Sequence, residues 1–194
     1  LDDIRALVLT HAHFDHVGMA RRLVRELGLP VHAHPEDHEL AAHPFRYDHE
    51  NPIAAYPLRH PRALPVLGSM LLAGMPFVRG VEDIQPLLVD AELAVPGRPR
   101  VIATPGHTYG HVALHLPERN AVITGDALVT LDPYTALRGP RLVAGAATAD
   151  ESRALASLDA IEATGARRVL PGHGNPFTRG AGQAVEIARK NGMA

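Results

Sequence analysis

His11-Ala12-His13-Phe14-Asp15-His16 follows directly on the apolar run Ile4-Arg5-Ala6-Leu7-Val8-Leu9 and precedes Val17-Gly18 and a helical stretch. Neutral imidazoles and carboxylates suit borderline divalent metals such as zinc, and a metal needs three or four of them to converge. Three imidazoles and a carboxylate within six residues cannot all share one helical face. On a turn between a strand and a helix they can splay, so that His11 and His13 point to one metal and Asp15 and His16 to a neighbour. The stretch therefore reads as a strand-to-helix junction in an α/β fold, with metal at the turn.

Three further segments carry residues of the same kind: Thr104-Pro105-Gly106-His107, Gly125-Asp126 and Pro171-Gly172-His173-Gly174. Each follows a short apolar strand, namely Arg100–Ala103, Ala121–Thr124 and Arg167–Leu170. Loops beyond the ends of strands are where a rigid sheet presents active-site groups. Four such strands, drawn from both halves of the chain, predict convergence on one centre. Glycine and proline at 105–106, 125 and 171–172 allow tight turns and a close approach of the backbone to an ion.

Between these segments, helical spacing from Val17 to Leu27 stops at Gly28, a natural terminator. Val31–His34 reads as a short strand. From about 35 to 88 the pattern degrades into prolines and scattered histidines, with helical character from Leu64 to Met75; this reads as a cap or loop insertion over the site. Strands are expected again at Ala91–Val95 and Val112–Leu116. Asp150 is placed to N-cap a helix reaching about Thr164, with Leu155, Leu158 and Ile161 on one face. The whole, residues 1–194, reads as one domain without internal repeats.

Composition narrows the function classes. A formal net charge of −2 gives no basic face for nucleic acid. The chain has no cysteine, which excludes disulfides, thiolate zinc sites, iron–sulfur clusters and cysteine nucleophiles. No apolar run approaches the ~20 residues of a membrane-spanning helix. A cytoplasmic protein acting on a small molecule is expected, with neither nucleic acid nor membrane as partner.

Taken together, Thr10–His16, Thr104–Thr108, Thr124–Ala127 and Leu170–Gly174 resemble, in order and separation, the metal motifs of the metallo-β-lactamase superfamily. The resemblance runs from residue 1 to about 178. It implies an αββα sandwich and a dinuclear site, usually zinc, with iron or manganese as alternatives. It further implies that His11, His13 and His107 hold one ion, that Asp15, His16 and His173 hold the other, and that Asp126 bridges them. The implied activity is hydrolysis of an ester, lactone, thioester or amide by a metal-bridging hydroxide, with Asp15 orienting that nucleophile. Two other readings stay open: a non-catalytic remnant with a structural metal site, and an iron-dependent oxygenase of the same fold.

The resemblance has departures. Family members normally carry several strands ahead of the histidine-rich motif, whereas about ten residues precede His11 here. The Ile4–Leu9 strand is thus expected to be covered by a second copy of the chain or by a separate N-terminal segment. Lactonases of the family place a tyrosine three residues after the bridging aspartate; Val129 stands there, and Tyr134 is a substitute from further along. His111 is a candidate supporting group or proton donor. The remaining histidines, at 32, 34, 38, 43, 49, 60 and 115, read as surface or satisfied core residues.

Overall fold

The computed structural model describes residues 3–193. Three parallel strands, β1 (Leu7–Val8), β2 (Val31–Ala33) and β3 (Ile84–Pro86), form a first sheet in that order. The second sheet runs β4 (Arg100–Ala103), β5 (Val112–Leu116), β6 (Ala121–Gly125), β9 (Arg168–Pro171), the first two pairings antiparallel and the last parallel. A separate antiparallel pair, β7 (Val129–Leu131) and β8 (Arg138–Arg141), lies between β6 and β9 in sequence.

The layering follows from side-chain alternation along the strands. In β5, Val112 and Leu114 face the first sheet, packing with Leu87, Val101 and Val8 of β1. Ala113, between them, faces the other way and joins a core with Val122, Val169 and two helices, α6 (Glu151–Ala163) and α7 (Ala181–Asn191). On the far side of the first sheet, Leu9, Val31 and Ala33 pack against Val17 and Ala20, at the junction of α1 (Phe14–Val17) and α2 (Ala20–Leu27), and against Ala41 of α3 (His38–Ala42). The result is helix, sheet, sheet, helix: the αββα sandwich.

Several expectations shift. The helix expected from Val17 is two helices, because Gly18 and Met19 break the ladder between α1 and α2. Gly28 does end α2, in the left-handed conformation. Asp150 caps α6 as expected, accepting from the Arg153 amide at 2.9 Å. Ala91–Val95 is not a strand: left-handed backbone at Asp90, Gly97 and Arg98 tightens the loop until a single bridge, Glu92 to Arg100, survives. Residues 35–77 hold only short helices and turns, including α4 (Tyr56–Arg59) and α5 (Leu64–Leu72). Ile84–Pro86, inside the expected cap, returns to the first sheet as β3. Helix α7 was not expected, since its buried face is Ala181, Ala184, Val185 and Ala188, a stripe of weak hydrophobicity. Strand β1 is the edge of its sheet and is shorter than the run Ile4–Leu9. No helix among the described residues is long and apolar enough to cross a membrane.

Candidate metal centre

The centre forms where the ends of β1, β4, β6 and β9 meet. His11 and His13 leave the loop after β1, and Asp15 and His16 stand on α1, whose single turn is too short to align them with the first two. His107 follows β4, Asp126 follows β6, and His173 follows β9. All seven residues expected from the sequence come together.

They form three overlapping groups whose ligand-type atoms lie within 4.8 Å of one another: His11, His13 and His107; His11, His16 and Asp126; Asp15, His16 and His173. The Asp126 carboxylate stands between the two ends. Its Oδ2 is 3.5 Å from His107 Nε2 and 3.2 Å from His173 Nε2, and its Oδ1 is 3.5 Å from His16 Nε2. Asp15 Oδ2 is 3.1 Å from His173 Nε2.

The donor set fits a divalent cation on a direct observation. The Nε2 atoms of His11, His13 and His107 and Oδ1 of Asp126 are buried with no hydrogen-bond partner. An unsatisfied buried polar atom costs about 1–3 kcal/mol, so four at one point call for a ligand. The tautomer agrees at His107. Thr148 Oγ1 gives its proton to the Val143 carbonyl at 2.8 Å, so it can only accept from His107 Nδ1 at 3.4 Å. Nε2 is thereby left with its lone pair directed into the site, as ligating histidines require.

Electrostatics divides the cluster into two halves. Burial pushes His11 and His107 well below the ordinary imidazole range and His13 down to about 4, so all three are neutral at physiological pH. Burial would also lower His173, but Asp126 and Asp15 outweigh it and hold His173 at about 10. His16 is raised in the same way, chiefly by Asp126. Burial would raise Asp126, yet His173 and His16 pull it well below the usual carboxylate range.

Two supporting residues complete the frame. His111 is fully buried: its Nε2 accepts from the Asp126 amide at 3.0 Å, which places its proton on Nδ1, donated to Thr104 Oγ1 at 2.8 Å. With both nitrogens engaged and burial lowering it to about 3, His111 fixes the Asp126 backbone and is no proton donor to a substrate. Asp37 escaped the sequence reading. Its carboxylate accepts from the Ala12 amide at 3.0 Å, the Thr108 hydroxyl at 2.8 Å and the Gly110 amide at 2.9 Å. It thus ties the His11–His13 loop to the His107 loop. The only sequence signal was an acidic residue one turn after a strand, too common to single out. Elsewhere His34 caps the turn at Glu36, and His38 bonds the Ala33 carbonyl.

Glycine is required where the loops crowd together. At Gly172 a Cβ would run into Asp126 Oδ1 and lie 2.9 Å from His16 Cε1. At Gly125, with φ of +50°, it would lie 2.6 Å from Thr10 Oγ1 and 2.8 Å from His111 Nε2.

Comparison with known proteins agrees with this architecture. The probable metallo-hydrolase YflN of Bacillus subtilis (strain 168) is 28% identical over 190 residues, covering 90% of this chain and 66% of that protein. Among solved structures, metallo-beta-lactamase family protein TTHA1429 from Thermus thermophilus is 28% identical, with a TM-score of 0.65 over 97% of this chain and 61% of that one. TTHA1623, solved in a di-iron-bound form, is 30% identical, with a TM-score of 0.61 over 94% and 75% of the two chains. The chain thus spans just under two thirds of the length of YflN and TTHA1429. The sequence profile of the metallo-beta-lactamase superfamily matches residues 1–173, and the chain belongs to that superfamily.

Proposed function

We propose that this chain is a dinuclear metal-dependent hydrolase that cleaves an ester, lactone or thioester. The observation that carries the reading is the set of orphaned buried nitrogens on His11, His13 and His107, facing a second cluster across the shared Asp126 carboxylate. His11, His13 and His107 would hold one ion, Asp15, His16 and His173 the other, and Asp126 both. Zinc suits imidazole and carboxylate donors; the di-iron form of TTHA1623 makes iron the alternative. Ions there would bring the pKa of bound water near neutrality and polarise a carbonyl.

The chain's own groups supply the rest. The Asp15 side chain is partly open, 22% exposed, as a group meeting water and substrate must be. In hydrolysis a water oxygen bonds to the carbonyl carbon, the acyl–oxygen or acyl–sulfur bond breaks, and one water proton ends on the leaving group. Asp15 is placed to accept that proton and pass it on. Tyr134 also lines the cleft, its hydroxyl 3.1 Å from that of Tyr47, whose ring packs 4.4 Å from His13. One of the pair's two protons is committed to the mutual bond, and the other is free to reach a substrate oxygen. Burial first, then the neighbouring charges, raises Tyr134 so that it keeps its proton. The partly exposed Asp15–His16–His173 end favours catalysis over a structural metal, which would be closed by protein ligands.

Zinc-reconstituted protein should contain two ions per chain and hydrolyse members of an ester, lactone and thioester panel. Asp15→Asn should lower turnover on the order of 10²–10⁴-fold while the variant still folds. Folded protein without metal would refute the reading. Near-normal turnover by Asp15→Asn would remove that residue from the mechanism.

A further inference from the structure

A cavity of about 200 Å³ lies between the 45–77 segment and the metal centre. None of its lining residues carries a charge; hydrocarbon, thioether and aromatic surface makes up the wall, with tyrosine hydroxyls as its polar groups. Phe14, Met70, Pro133 and Tyr134 belong both to this cavity and to the cleft on which His13, Asp15, His107, Asp126 and His173 open. The two spaces therefore adjoin across these four side chains, one polar and charged, the other apolar.

Helix α5 gives the same reading independently. Leu64-Pro65-Val66-Leu67-Gly68-Ser69-Met70-Leu71-Leu72 is apolar around most of its circumference, yet none of its residues is buried. A helix of that composition normally sinks into a core. Here Leu64, Leu67 and Met70, spaced three residues apart and so along one face, line the cavity, and Met75 follows them. Phe45, Ile53 and Leu64 are exposed as well as lining it, which makes the mouth apolar too.

From the shared walls and the uncharged lining, we propose that the cavity receives the acyl chain of the substrate. On the hydrolase reading above, the substrate class is an ester, lactone or thioester of an uncharged, medium-length aliphatic acid. With its carbonyl at the Asp126 end, the chain runs past Met70 and Tyr134 beneath α5. At ~30 Å³ for a water-sized group, the cavity holds about seven methylene-sized units. A charged acyl group would be desolvated there without a partner and is excluded.

The test has an arm independent of catalysis. Calorimetric titration with straight-chain alkanols should show affinity rising about threefold to fourfold per added methylene, levelling near seven carbons. Leu67→Trp, which narrows the cavity from α5, should bring that plateau to a shorter chain. In the second arm, kcat/KM of the zinc-loaded protein on p-nitrophenyl esters from acetate to dodecanoate should peak at medium length, and the peak should shift with the same substitution. Alkanols that do not bind, or bind without regard to length or to Leu67→Trp, overturn the proposal whatever the activity. Esters cleaved with no length preference overturn it while leaving the hydrolase reading intact. Alkanols bound as described with no ester, lactone or thioester cleaved would keep the apolar site and sink the hydrolase reading and the substrate class with it.

Discussion

Asp37→Ala is the most informative single perturbation, because it touches none of the seven clustered residues and yet undoes the join between two of their loops. The substitution strips three donors of their acceptor: the Ala12 and Gly110 amides and the Thr108 hydroxyl. Asp37 is 2% exposed, so the amides have little access to bulk water as a substitute. Each orphaned buried donor costs about 1–3 kcal/mol. The burial that raises the Asp37 pKa shows that the carboxylate itself is costly to hold there, which offsets part of the loss. The lower end of the range, about 3 kcal/mol in total, is therefore expected. For a domain of this size that lowers Tm by about 6–12 °C. Metal affinity should fall by about 10–100-fold, as when an outer support is removed from a ligand loop. Asp37→Asn should fall between parent and alanine variant, since its oxygen can still serve Ala12 and Thr108 while its NH₂ meets the Gly110 donor. Denaturant unfolding and zinc titration of the three proteins provide the check. An alanine variant within about 0.5 kcal/mol of the parent and equal in zinc affinity would refute the claim that Asp37 holds the loops.

Metal loading should depend on pH differently at the two ends of the centre. His11, His13 and His107 are neutral at pH 7, so binding there displaces no proton, whereas His173, held at about 10, must give one up. Affinity of the second ion should thus rise about tenfold per pH unit below pH 10 per proton released, while the first stays nearly flat from pH 7 to 9; identical pH slopes for the two steps would contradict the assignment. Gly172→Ala, whose new methyl would collide with Asp126 and crowd His16, should cost about 1–3 kcal/mol and reduce zinc content toward one ion per chain. Retention of two ions with unchanged unfolding would show that the loop shifts freely.

His11, His13, Asp15, His16, His107, Asp126 and His173 were legible in sequence because residues with metal-ligating atoms recur at a turn after each apolar strand, and the structure gathers all seven. Strands β4, β5 and β6 were legible as short apolar runs, and helix α6 because its buried residues Ala154, Leu158 and Ile161 repeat with the helical period. Other features depended on partners distant in the chain. Helix α7 buries mostly alanine, and only its packing on α6 and the second sheet reveals a core face. Strand β3, three residues long, exists because β2 offers it a parallel edge. The roles of Asp37 and His111 are set by hydrogen bonds to backbone groups up to 73 residues away, which no local pattern encodes. The cavity beneath α5 is likewise a space between segments, fixed by how the 45–77 region folds back over Pro133 and Tyr134. Local chemistry wrote the clustered histidines and aspartates into the sequence; long-range packing alone decided what steadies them and what lies beside them.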